Sequence, residues 1–223
     1  MINVDRREWG SFVKIKRRIP NLLSKELKRT AGVIGVGTVT DPYQPVEERL
    51  QITRKCLELI SRSRCTVSVH TKSNLVVRDK DILSTISGSE IGITITTLDR
   101  RMAKYLEPNA PPPKSRLEAM EELVDSGLDT YALIAPMIPM VTNIDLGGLI
   151  ESIGRAGVRK VMIDPFRLRS GMLENLISIL QPVEEIDSGL FKEMISSKSY
   201  FKNLEDRIIQ ICQDIGIKCV SAF

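Results

Sequence analysis

Apolar positions along the chain follow two alternating rhythms. Val33 to Val39 has the pattern of a strand, after which Val46, Leu50, Thr53, Leu57 and Ile60 recur at helical spacing. Cys65 to Thr71 is a second strand-like run, followed by a short helical stretch from Asp79 to Ile86, and Ile91 to Thr97 alternates cleanly as a third strand. The proline-rich loop "LEPNAPPPKS" (Leu106 to Ser115) leads into a helix whose start is expected at Ser115, with Glu118 in capping-box spacing and Gly127 beyond the last turn. Tyr131 to Ala135 gives a fourth strand, Asp145 to Ala156 a helix stopped by Gly157, and Val161 to Ile163 a fifth strand. Helices over Met172 to Leu180 and Leu204 to Ile215 precede a short extended tail.

This alternation predicts an α/β fold of parallel strands joined by right-handed crossovers, either a doubly wound open sheet or all or part of a β/α barrel. One domain is expected over residues 1–223, with a basic segment at 1–30 and a helical segment at 172–223. In both architectures chemistry collects at the carboxyl ends of the strands.

Side chains alternate across a strand, so each run divides into two faces. Ile91, Ile93 and Ile95 must pack on helices, which leaves Gly92, Thr94 and Thr96 on the other face. Val67 and Val69 oppose Ser68, His70 and Lys72, and in the first strand Ile34 and Val36 oppose Gly35, Gly37 and Val39, followed by Asp41. A sheet covered on both faces would be apolar throughout, and a plugged barrel would carry bulky aliphatic layers inside. The pattern therefore predicts a small polar lumen with room for a ligand. Asp41, Tyr43 and Gln44 follow the first strand, Lys72 ends the second, Thr94 and Thr96 line the third, and Ala135 and Pro136 end the fourth, so all are expected near one rim. A lone histidine such as His70 has the bland alternative of a hydrogen-bonded interior residue.

Composition narrows the class. With 223 residues, 42% hydrophobic and 27% charged, the chain is long enough for a sizeable core. The longest apolar run is broken by Pro136 and Pro139, and the first ten residues are too polar for a secretory signal, so a soluble, cytoplasmic protein with no membrane partner is expected. Cys56, Cys65, Cys212 and Cys219 have no metal-ligand spacing and read as buried thiols of a reducing compartment. Net charge is +4, but residues 1 to 29 hold nine Lys or Arg against three acids. This basic start suits a nucleic-acid backbone as well as a solvated helix face. With aromatics at 4%, no array of base-stacking platforms is evident. "GVIGVG" lacks the third glycine of a dinucleotide fingerprint, and no P-loop, HExxH, GxSxG or EF-hand pattern occurs.

Four longer stretches carry a resemblance. "GTVTDPYQPVEERLQITRKCLELI" (Gly37 to Ile60), "TKSNLVVRDKDIL" (Thr71 to Leu83), "ITITTLDRRMAKYLEPNAPPPKSRLEAMEELVDSG" (Ile93 to Gly127) and "APMIPMVTN" (Ala135 to Asn143) are similar, in order and spacing, to the radical S-adenosylmethionine proteins, in particular the DNA-repair photolyase-like group related to spore photoproduct lyase. The likeness runs over residues 12 to 165. It implies a partial β/α barrel in which a [4Fe-4S] cluster, held by a CxxxCxxC loop after the first strand, binds S-adenosylmethionine and cleaves it reductively to a radical that attacks substrate. It further implies that Asp41 lies near the methionine amino group with Tyr43 in the same segment. Lys72, Thr94 and Thr96 would lie along the carboxylate and ribose, Arg116 would be a carboxylate partner, and Ala135 and Pro136 would border the adenine.

The sequence departs from that pattern in two places. It contains no CxxxCxxC, and residues 1 to 30 resemble what normally follows the cluster loop, so the first strand and the loop are expected to be missing. Met140 stands where the family usually has glycine. Three readings follow: a radical enzyme whose cluster loop lies on a longer chain; a barrel that binds S-adenosylmethionine, nucleic acid or a partner without radical chemistry; and an unrelated barrel enzyme using Lys72 as a Schiff-base lysine. An absent first strand also predicts an apolar barrel edge beside Val33 to Val39, favouring a homodimer.

Overall fold

The computed structural model describes residues 12–166, 172–183 and 186–221, so Arg6 and Arg7 of the basic start lie outside the described residues. Six strands, β1 (Gly32–Val36), β2 (Cys65–Thr71), β3 (Glu90–Thr94), β4 (Asp129–Met137), β5 (Lys160–Pro165) and β6 (Lys218–Ser221), form one sheet in chain order. Every neighbouring pair is parallel. Strands that add one after another in the same direction curl as a barrel wall does, and because β1 and β6 are not paired with each other the wall stays open. This is the partial barrel that the resemblance implies and one of the architectures the alternation allows.

The helices are α1 (Ile19–Glu26), α2 (Pro45–Leu50), α3 (Ile52–Ile60), α4 (Lys80–Leu83), α5 (Arg100–Leu106), α6 (Pro113–Asp125), α7 (Leu146–Arg155), α8 (Met172–Leu180), α9 (Ser188–Ser196) and α10 (Lys198–Asp214). None is long and apolar enough to cross a membrane. Their apolar stripes cover one face of the sheet, where Val67, Val69, Ile91, Ile93, Ile95, Ile134, Val161 and Ile163 are fully buried. At about 1.5–3 kcal/mol for each aliphatic side chain removed from water, this layer fixes which face of every strand points outward. The opposite face is half-exposed at Ser68, His70, Leu133 and Met162, as an open lumen requires.

Several boundaries differ from expectation, each for a local reason. The single helix expected through Val46 and Ile60 is two, because Gln51 takes a left-handed conformation (φ 51°) between α2 and α3. Glu47 enforces the break: its carboxylate accepts from the Ile52 and Thr53 amides at 2.9 Å each, satisfying the open N–H groups of α3. The helix expected at Ser115 starts two residues earlier, with Pro113 in its first turn and Pro112 at the cap, so no Ser115 capping box forms. The Asp79 to Ile86 stretch resolves into a 3₁₀ helix (Asn74–Asp79) and the short α4. β1 stops at Val36 rather than Val39, and β3 stops at Thr94, although the Ile95 amide still donates to the Leu133 carbonyl at 3.0 Å. α5 and α9 had no expectation, α10 begins at Lys198 rather than Leu204, and the tail is the strand β6. Of the four thiols expected to be buried, Cys65 and Cys212 are, whereas Cys56 and Cys219 are partly exposed.

Candidate functional site

The turn after β1 owes its path to a glycine. Gly37 has φ 98°, and a Cβ there would lie 2.0 Å from the His70 carbonyl oxygen, so only glycine lets this segment pass against β2. The turn then delivers Asp41 to the carboxyl end of β2. Its carboxylate accepts from the Thr71 hydroxyl and the Lys72 amide at 2.7 Å each, and from the Tyr43 amide at 2.9 Å. Asp41 thus ties the first two strand ends together, and its oxygens are engaged by the protein's own donors.

Tyr43 does not reach the rim. It is 2% exposed and packs into the core with the Arg78 guanidinium 6.0 Å from its ring centroid. Burial, with help from the Asp79 carboxylate, pushes its phenol far above the ordinary range. The polar knot around it joins Glu47, Arg78, the fully buried Asp79, Arg54 and Asp81. These ion pairs clamp α2 and α3 to the 3₁₀ helix, and Gln44 caps α2 beside them.

At the rim the structure brings together residues from three separate elements. Lys72 follows β2 and lies 3.2 Å from one oxygen of Glu107, while Arg116 of α6 pairs with the other. The Arg116 guanidinium also donates to the Thr94 carbonyl at the end of β3 (3.1 Å) and to the Pro111 carbonyl (2.9 Å). Arg116 is 2% exposed. It is a carboxylate partner as expected of its forked donors, but the carboxylate is supplied by its own chain. Glu107, at the start of the proline-rich loop, is the rim residue that sequence reasoning passed over; an acid directly before a run of prolines was the available signal. Lys72 keeps 38% of its side chain exposed, so its ammonium can meet a ligand.

Thr94 and Thr96 are buried near this cluster, and the bond from Ala135 to Pro136 at the end of β4 is cis. A pocket of about 360 Å³ lies beyond the end of β3, lined by Thr97, Leu98, Asp99, Val141, Thr142, Ile144 and Asp145. Its far wall is the loop containing Met140, which adopts φ 58° and donates its amide to Asn143 at 2.6 Å. The chain therefore keeps a glycine-type turn with methionine in it.

Deeper in the lumen lies a second polar row. His70 pairs in register with Gly92, and Gly92 with Tyr131. Because Gly92 has no side chain, the Tyr131 ring crosses β3, and its hydroxyl hydrogen-bonds the His70 Nε2; a Cβ on Gly92 would come within 2.5 Å of the ring. Lys160 sits 4.7 Å from the centre of that ring and pairs with Glu90 at 2.9 Å. Burial lowers the His70 pKa, which keeps the imidazole neutral, and raises that of Tyr131. The lumen is polar as expected, and this row supplies its floor.

The thiols are elsewhere. Cys65 opens β2 at its amino end, Cys56 lies on α3, and Cys212 and Cys219 on α10 and β6. Among the described residues no three metal-ligating side chains gather.

Comparison with known proteins gives the following. No family model matches the chain. It is 35% identical over 138 residues to an uncharacterized protein of Methanocaldococcus jannaschii, covering 62% of this chain and 52% of that one. An uncharacterized protein of Acidianus two-tailed virus is 30% identical over 200 residues, 86% of this chain and 66% of its own. The chain thus spans about half to two thirds of the curated relatives it matches. Among solved structures, spore photoproduct lyase complexed with dinucleoside spore photoproduct superposes with a TM-score of 0.69 at 15% identity, covering 94% of this chain and 68% of that one. Streptococcus suis SuiB bound to S-adenosylmethionine superposes with a TM-score of 0.58 at 10% identity, covering 95% and 44%. The chain therefore has the open β/α-barrel fold seen in spore photoproduct lyase and SuiB.

Proposed function

We propose that this chain is the barrel of a radical S-adenosylmethionine-type protein, related to spore photoproduct lyase, that binds S-adenosylmethionine at its carboxyl rim and acts on nucleic acid. The observation that carries this reading is the Lys72–Glu107–Arg116 cluster, assembled from three elements at the rim where the resemblance expects the methionine moiety. The ligand carries an ammonium and a carboxylate on one carbon. Glu107 and the exposed ammonium of Lys72 are their complements, Thr96 offers a hydroxyl and Ala135 and Pro136 an apolar edge. Arg116 holds Glu107 in place, and Asp41 holds the Lys72 backbone.

When bound, S-adenosylmethionine supplies a sulfonium that activates its adenosyl carbon. The described cysteines do not fit a [4Fe-4S] cluster, which needs three thiolates at one place. That disposition of thiols favours, as a second reading, a barrel that binds S-adenosylmethionine or nucleic acid without radical chemistry on these residues. A Schiff-base role for Lys72 is less well supported, since its ammonium is held as an ion pair by Glu107.

Calorimetric titration with S-adenosylmethionine tests the proposal. Lys72→Ala is expected to weaken binding about tenfold, the effect of one charged contact worth about 1.4 kcal/mol. Equal affinity in the variant and the parent removes Lys72 from the site, and no binding to either removes the proposal.

A further inference from the structure

The amino-terminal end of the barrel, opposite the rim, carries a second pocket. The carboxyl end of α1 packs beside the turn from α3 into β2, and between them lies a pocket of about 360 Å³. Lys28, Arg62 and Arg64 line it with the hydroxyl residues Ser24 and Ser63, over two leucines. Elsewhere Arg54, Lys72, Arg78, Lys80, Arg116 and Lys160 pair with carboxylates. Lys28, Arg62 and Arg64 are exposed, and no carboxylate among the described residues pairs with them. The carboxyl ends of α1 and α3 both border the pocket, but each offers only about half a negative charge, which leaves close to two positive charges uncompensated there.

We propose that this pocket binds backbone phosphates of a nucleic acid. Two guanidiniums with forked donors, an ammonium and two serines in one concavity suit discrete phosphate oxygens, whereas a membrane surface calls for a broad basic face. Among the described residues β1 pairs on one side, with β2, and Gly32, Val33 and Gly35 are exposed along it between this pocket and the rim. Its five residues span about 17 Å, about five base-pair steps of a duplex strand. A duplex laid along that edge can therefore rest a phosphate in the pocket while another part of it meets the lumen. The inference rests on the nucleic-acid half of the proposed function and is independent of the cofactor.

The test is fluorescence anisotropy of a labelled 20-base-pair DNA duplex against salt, with the parent chain, Arg62→Ser/Arg64→Ser, and Arg62→Lys/Arg64→Lys. Loss of two phosphate contacts is expected to lower the slope of log K against log salt by about 1.8, about 60-fold in affinity at 0.1 M if counterion release supplies the effect. The lysine variant, which retains charge, is expected to recover most of the slope. Equal slopes for parent and serine variant overturn the pocket while leaving nucleic-acid binding intact. No binding by the parent overturns the nucleic-acid reading itself. Binding to vesicles rich in phosphatidylserine in preference to the duplex overturns the choice of partner. Melting temperatures measured alongside report folding, which these exposed positions are expected to leave unchanged.

Discussion

Replacing Glu107 with alanine is the sharpest test of how the rim is held. Glu107 is 17% exposed and bridges the exposed Lys72 and the 2%-exposed Arg116. Without it, the Arg116 guanidinium stays buried with only the carbonyls of Thr94 and Pro111 as acceptors, and its charge has no counterpart. Removing one partner of a buried pair costs about 3–5 kcal/mol, and the residual exposure of Glu107 argues for the lower end, about 3 kcal/mol. For a chain of this size each kcal/mol moves the melting temperature by about 2–4 °C, so Glu107→Ala should melt about 6–12 °C below the parent by circular dichroism. Lys72→Ala, at the exposed end of the same cluster, should cost no more than about 1 kcal/mol. The double replacement Glu107→Leu/Arg116→Met should recover most of the loss, because removing both charges leaves neither stranded. If Glu107→Ala melts within about 2 °C of Lys72→Ala, Arg116 is not a buried charge that depends on Glu107, and the account of the rim is wrong.

Other expectations are as direct. Gly92→Ala should destabilise the protein by about 1–3 kcal/mol in urea, since the new Cβ meets the Tyr131 ring, and unchanged stability would place that ring elsewhere. Gln51→Gly, at an exposed left-handed position, should raise stability by about 0.5–1 kcal/mol in the same assay; a loss would mean that residue 51 is not held left-handed between α2 and α3. His70 has a pKa lowered by burial, so its protonation favours the unfolded chain. Stability should hold above the unfolded value, near 6.5, and fall as pH drops through it, less so in His70→Asn; matching pH profiles of melting temperature would contradict a neutral His70.

Much of the fold was legible because strand alternation carries both the element and its face. Cys65 to Thr71 and Met172 to Leu180 have the bounds their patterns suggest, and Ile91, Ile93 and Ile95 are buried, although Gly92, Thr94 and Thr96 on the other face of that run are buried too. Features that depend on distant partners were not legible. The break at Gln51 is written in no glycine or proline; it depends on Glu47 capping the following helix. α5 buries only Met102 and Ala103, too few apolar positions to announce a helix. At the site, the strand ends brought Lys72 and Thr94 toward one rim and the resemblance added Arg116, but their joining through Glu107 and the turning of Tyr43 into the core are products of packing. The reach of Tyr131 across Gly92 to His70 follows from register, which no single strand reveals.

Chemical-shift mapping of the ¹⁵N-labelled chain with S-adenosylmethionine tests the central claim most directly. The account predicts saturable shifts confined to the rim, at Lys72, Thr94, Thr96, Glu107 and Ala135, with the amides of Arg62 and Arg64 unmoved. Shifts at the amino-terminal end with a silent rim, or no saturable shifts at all, would contradict it.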